Sequence, residues 1–227
     1  MQRKTLSIGV LASGSGTNLQ AIIDAIEARR LDAEIRVVLC NRSGAGALER
    51  ARRHAVPTEL VDHKAFATRE AFDRRVIEVL RDRGVELVCL AGFDRLISPL
   101  FVDAFRDRIL NIHPALLPSF PGLHGQRQAL EYGVRIAGCT VHFVDEKTDH
   151  GAIVIQAAVP VRDDDTAESL ADRILVEEHR IYPEAIRLFA EGRLRIEGRK
   201  VRIQGEPAAE GSLANPRPRG PLQRTSR

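Results

Sequence analysis

The chain has 227 residues, 44% hydrophobic and 29% charged, a balance that suits one ordinary globular domain, and no apolar run approaches the roughly 20 residues a membrane-spanning helix needs. The formal net charge of +3 is local: from Arg193 onward nine Lys or Arg stand against three Glu, which leaves residues 1–192 at −3 and, with two Tyr and no Trp, gives little support to nucleic-acid binding. Cys40, Cys89 and Cys139 lie far apart among apolar neighbours and read as reduced core thiols, the seven histidines show no metal-ligand spacing, and the start Met1-Gln2-Arg3-Lys4 has no signal-peptide pattern, so a cytoplasmic protein is expected.

Apolar strand-like runs alternate with helical periodicity, which predicts an α/β fold, a doubly wound, mostly parallel sheet flanked by helices. Residues 6–11 read as the first strand and 19–28 as an amphipathic helix. Between them, Ser13-Gly14-Ser15-Gly16-Thr17-Asn18 sits where a helix N-terminus offers free N–H groups to an anion. No Lys follows as in a Walker loop and no third glycine completes a dinucleotide fingerprint, so a single phosphate is the favoured ligand; the alternative is a tight turn that glycine serves without any ligand. Residues 35–40 form the second strand, leading into a turn at 41–46 and a helix to about 54. A short edge-like strand follows at 58–61, then a strongly periodic helix over 69–83 ended by Gly84. Residues 85–91 are the most continuous apolar run and predict a central strand buried on both faces. Ser98-Pro99 reads as an N-cap with Pro at the first helical position of a brief helix to about 105.

The run 108–110 predicts a strand that delivers Asn111 and His113 in one direction from its carboxyl end, with Ile112 pointing away and Pro114 ending the pairing. In an open parallel sheet that is where ligands bind, and an amide donor beside an imidazole suits a tetrahedral oxyanion; the bland alternative is a pair that only bonds a neighbouring loop. A Pro- and Gly-rich loop runs to Gly125, then a helix through 131. Strands at 136–144 and 152–159 are joined by Asp145-Glu146-Lys147-Thr148-Asp149-His150-Gly151, where Asp149 on spacing alone reads as a turn residue. Asp165 and Glu168 suggest a capping box for a long helix ending near Gly192. A hairpin of 194–196 and 201–203 closes a domain spanning 1–204, and the Pro- and Arg-rich tail 205–227 is expected to be disordered.

Taken in order, the Ser13 loop, Asn111-Ile112-His113-Pro114, Pro121-Gly122-Leu123-His124, and Val141-His142-Phe143-Val144 followed by Asp149-His150-Gly151 resemble the folate-dependent phosphoribosylglycinamide formyltransferases of purine synthesis. The resemblance covers about residues 6–194. It implies the formyltransferase fold and formyl transfer from 10-formyltetrahydrofolate to the glycine amine of glycinamide ribonucleotide, with no metal, and leaves a homodimer open. It also implies catalysis by Asn111, His113 and Asp149, and a substrate site of Gly16, Thr17 and Asn18 with Glu178 near the ribose. The folate would lie against Arg69, Asp94, Arg95, Leu96 and Ile97, with Asn111 and the loop from Asp145 to Asp149. Asp94 departs from the apolar or aromatic residue expected there. His124 and His142 are read as supporting residues, and His54, His63, His150 and His179 as surface or more distant groups.

The chemistry such a site would perform asks for an oxyanion donor and a proton acceptor. Asn111 and a protonated His113 are expected to donate to the oxyanion, while Asp149, abutting His113, raises the imidazole pKa and relays a proton through water. No serine or cysteine is placed as a nucleophile, which favours direct transfer. Methionyl-tRNA formyltransferase and formyltetrahydrofolate hydrolase share this segment. The first is expected to add a carboxyl-terminal tRNA-binding domain and the second a preceding regulatory module. A noncatalytic phospho-ligand sensor is the alternative from another class.

Overall fold

The first strand, β1 (Leu6–Ala12), shows why this chain builds two layers on one sheet. Ile8, Val10 and Ala12 enter one apolar cluster, whereas Leu11 belongs to the opposite one, as the two-residue side-chain period of a strand requires. A Cβ on Gly9 would meet Leu80 Cδ2 at 2.6 Å, so a helix comes closer there than any side chain allows. The computed structural model describes residues 4–205.

After β1 come α1 (Thr17–Glu27), β2 (Ala33–Cys40), α2 (Gly46–Arg53), β3 (Thr58–Leu60), α3 (Arg69–Asp82), β4 (Leu87–Leu90), α4 (Pro99–Ala104) and β5 (Ile109–His113). The chain continues through α5 (Gly125–Tyr132), β6 (Ile136–Phe143), β7 (Ile153–Pro160), α6 (Ala167–Ala190), β8 (Leu194–Glu197) and β9 (Lys200–Ile203). Among the described residues, nine strands form one sheet in the order β3-β2-β1-β4-β5-β6-β7-β9-β8. The first five are mutually parallel, and β6 then pairs antiparallel with both β5 and β7. Helices α1, α2, α5 and α6 supply residues to the cluster on one face, and α3 and α4 to the other, which is the doubly wound arrangement expected. No described helix is long and apolar enough to cross a membrane.

Strand β5 ends at His113, as Pro114 predicts, and antiparallel β6 pairs with it to that end: Asn111 opposite His142, His113 opposite Thr140. Two expectations are corrected. The long helix is capped one residue later than read, by Thr166, whose hydroxyl accepts from Ser169 N–H while Ser169 Oγ accepts from Thr166 N–H. Asp165 binds Arg173 instead, which holds its carboxyl well below the usual carboxylate range. Ser98 does hold the N-cap position before Pro99, but its hydroxyl makes no cap; its N–H donates to buried Asp73, 2.5 Å away. All three cysteines are free and buried, and burial pushes the Cys40 thiol up to about 11. Of the tail expected at 205–227, all but Gly205 lies outside the described residues.

The long helix fixes the middle of the sheet. Tyr182, wholly buried, directs its hydroxyl to the carbonyls of Leu90 and Leu110, each at 2.9 Å, bridging the ends of β4 and β5 just before Asn111.

Candidate active site

Asn111 and His113 project from the same face of β5, as the strand period requires, and the opposing strand supplies a third polar group, His142. His142 Nδ1 lies 2.8 Å from the Phe143 carbonyl, which can only accept, so the proton sits on Nδ1 and Nε2 is left to accept. Asn111 Nδ2 donates to that Nε2 at 3.1 Å. One amide hydrogen is thereby committed and the carboxamide plane is fixed, with the second hydrogen available to a ligand. The pairing of β6 with β7 shifts register between Val141 and His142, the kind of irregularity that re-aims a side chain.

His113 is arranged in the opposite sense. Its Nε2–H donates to the Phe120 carbonyl at 2.9 Å, leaving Nδ1 bare and facing Asp149 Oδ2 at 3.4 Å. The same Oδ2 accepts the Gly122 N–H at 2.7 Å, and Oδ1 stands 3.7 Å from His142 Nε2. The loop of residues 119–124 therefore holds both catalytic candidates, one through a carbonyl and one through an N–H. Burial would raise the Asp149 pKa, but the neighbouring imidazoles and the Gly122 N–H bring it below the ordinary value, so it is a carboxylate.

For His113 the outcome differs from expectation. Burial depresses its pKa more than Asp149 and the Phe120 carbonyl raise it, so the net shift is downward and the resting imidazole is neutral. Its only N–H is spent on Phe120. The expected role as a protonated oxyanion donor gives way to that of a proton acceptor at Nδ1.

These groups lie at one side of a cavity of about 840 Å³ at the carboxyl ends of β4 and β5. Arg69, Asp94, Arg95, Leu96, Ile97, Asn111 and the stretch from Asp145 to Asp149 all line it, together with His124 and His142. His124 occupies the N-cap position of α5 in left-handed conformation and makes no side-chain cap. Reading the sequence missed Phe93, Val144 and Leu123 in the wall; the only signal for Phe93 was its place after the central apolar run. A brace on the 145–149 loop was also missed: His150 Nδ1 donates to Asp145 Oδ2 at 2.7 Å, and Arg199 in the β8–β9 turn donates to His150 Nε2 at 2.7 Å and to its carbonyl at 3.0 Å. His150, read as peripheral, thus joins the terminal hairpin to the cavity wall.

Gly16, Thr17 and Asn18 do not line this cavity. Gly16 is the N-cap of α1 at φ 75°, and no side chain caps the helix. Buried Asn18 donates through Nδ2 to Glu178 Oε2 at 2.7 Å, joining the loop to α6 across 160 residues. Burial raises the Glu178 pKa and the Asn18 bond partly offsets it. Asn18 Oδ1 is buried without a partner, an acceptor that a ligand hydroxyl would satisfy. Among the described residues no cluster of His, Cys, Asp and Glu could hold a metal ion.

Residues 6–186 match the formyl transferase family, and the chain belongs to it. The chain is 43% identical over 212 residues to phosphoribosylglycinamide formyltransferase of Escherichia coli K12, covering 90% of this chain and all of that one. A crystal structure of glycinamide ribonucleotide transformylase 1 from Symbiobacterium toebii superposes with a TM-score of 0.88 at 59% identity, covering 89% of this chain and 95% of that one. The chain is also 48% identical over 191 residues to the trifunctional purine biosynthetic protein adenosine-3 of Chironomus tentans; the match takes in 83% of this chain but spans only 14% of that relative's length.

Proposed function

We propose that the chain is a cytoplasmic phosphoribosylglycinamide formyltransferase, moving the formyl group of 10-formyltetrahydrofolate to the glycine amine of 5'-phosphoribosylglycinamide, with formylglycinamide ribonucleotide and tetrahydrofolate as products, in purine biosynthesis. The observation that carries this reading is the meeting of one open Asn111 amide hydrogen with the facing acceptors His113 Nδ1 and Asp149 Oδ2. The names of the relatives support it.

The large cavity fits a formyl folate. Leu90, Phe93 and Val144 offer apolar surface to a flat ring, and Arg69 and Arg95 offer cations to carboxylates. That co-substrate would supply the activated formyl carbon. Asn111 then donates its second amide hydrogen to the oxygen that gains charge as the amine adds. The new ammonium must lose a proton, and His113 Nδ1 and Asp149 Oδ2, two acceptors facing each other, form a seat for it. The His113 imidazole, neutral because it is buried, accepts that proton, ionised Asp149 stabilises the resulting imidazolium, and the proton then passes to the folate nitrogen as its bond to the formyl carbon breaks and the oxyanion collapses. Gly16, Thr17 and Asn18 would hold the ribonucleotide phosphate, with Glu178 on the ribose hydroxyls.

The test is formyl transfer with purified protein, using glycinamide ribonucleotide, methionyl-tRNA and water as separate acceptors. Turnover with the ribonucleotide alone is expected. In Asn111→Ala, turnover should fall roughly a hundredfold or more, about 3 kcal/mol of transition-state stabilisation, with near-normal thermal stability. Turnover with water alone would overturn the assignment.

A further inference from the structure

Asp94 lines the large cavity, yet its polar groups bond to the loops after β1 and β2. Its carboxylate accepts from Asn41 Nδ2 at 2.9 Å through one oxygen and from Arg42 Nη2 through the other. Its N–H donates to Ser13 Oγ at 2.9 Å, and two residues earlier the Gly92 carbonyl accepts the Ser13 N–H at 3.0 Å. Three loops that leave neighbouring parallel strands therefore meet at one residue, the loop after β2 through the Asp94 carboxylate and the loop after β1 through its N–H. One of them opens the Ser13–Asn18 anion loop and another forms the Phe93–Ile97 wall. Asn41 is fully buried, so its amide is held in place before it meets Asp94, and Ser13, Asn41 and Arg42 line a separate cavity of about 570 Å³.

An apolar side chain at position 94 would pack into the folate wall but cost the Asn41 amide its 2.9 Å acceptor and Arg42 its ion partner. The wall here is built on charge. We propose that Asp94 is a positioning residue: clasped by Arg42 and Asn41, it sets the backbone of the 92–97 wall against the loop after β2, so that folate affinity depends on an ion pair whose cation, Arg42, lies outside the folate cavity. The proposal rests on the formyl-transfer reading of the site. Asp94 touches no reacting atom in this account, and its effect passes through the backbone it holds.

Asp94→Asn keeps the shape and one acceptor oxygen but removes the charge, and Arg42→Met removes the other half from the surface. Each is expected to raise the KM for 10-formyltetrahydrofolate about tenfold with kcat within about twofold. The double variant should be no worse than either single one, since the two residues act as a pair. Raising the salt concentration should increase the folate KM of the wild type more steeply than that of the variants, in which only the Arg69 and Arg95 contacts remain to be screened. Unchanged folate KM in both variants, strictly additive effects, or equal losses in kcat and both KM values with a lower melting temperature would each overturn the proposal. If the wild type is inert with these substrates, the functional reading fails by itself. The clasp is then judged by deuterium uptake across residues 92–97, where faster exchange in both variants supports it and unchanged exchange overturns it.

Discussion

His113 presents Nδ1 to Asp149 and spends its only proton on Phe120, so its titration reports directly on the pair. Its folded pKa lies below the ordinary value of about 6.5, chiefly because it is buried. As pH falls from that value toward the depressed one, the unfolded chain takes up a proton that the folded chain refuses. Stability therefore drops through that window and levels off below it. Asp149→Asn removes the influence that raises the imidazole pKa, so His113 should titrate lower still and the window should stretch further down. An NMR titration of the His113 ring in both proteins, kept above pH 5 where Asp149 is ionised, checks this; an unmoved pKa would mean that the carboxylate and the ring are uncoupled. The pairing of Asn111 with His113 on one face was legible in the sequence, because strand periodicity fixes it. The direction of the His113 shift was not, since a list of charged neighbours carries no information about the loop of residues 119–124 excluding water.

At the scale of elements, the segment Asp149-His150-Gly151 shows how a glycine near the site serves packing. A Cβ on Gly151 would lie 1.8 Å from the Phe143 carbonyl oxygen, the acceptor that fixes the His142 proton on Nδ1. Gly151→Ala should therefore push that carbonyl aside, cost about 2–4 kcal/mol of stability and slow turnover, because Asn111 loses its oriented partner. Gly44→Ala, at a position where a new Cβ meets nothing within 4 Å, is the control and should leave both unchanged. Denaturant midpoints and initial rates on the two variants separate these outcomes. The same reasoning disqualifies Gly16 as a probe of anion binding: at φ 75° and with Ala47 Cα 2.6 Å from a would-be Cβ, any side chain strikes α2 before a phosphate is involved. Helix and strand positions were readable from period and punctuation. The shift of the capping box to Thr166 and Ser169 was not, because Asp165 had a stronger partner in Arg173, about two turns into the helix, which only the folded geometry reveals.

Across the whole molecule, the alternation of runs announced a doubly wound sheet, and the continuous apolar stretch now containing β4 announced its centre. What holds that centre to the long helix lay beyond the reach of pattern, since Tyr182 meets carbonyls 92 and 72 residues earlier in the chain. Its single hydroxyl shared between two strands makes α6, β4 and β5 one mechanical piece, with Glu178 one turn before Tyr182 on the same helix. In native-state hydrogen exchange, amides of β4, β5 and the middle of α6 should open together with one free energy, as a single cooperative unit. Tyr182→Phe keeps the ring and removes the bolt, at a cost of about 1–3 kcal/mol. Exchange would then divide, with the helix opening ahead of the strands; if all three segments still opened in step, apolar packing alone would be holding them together.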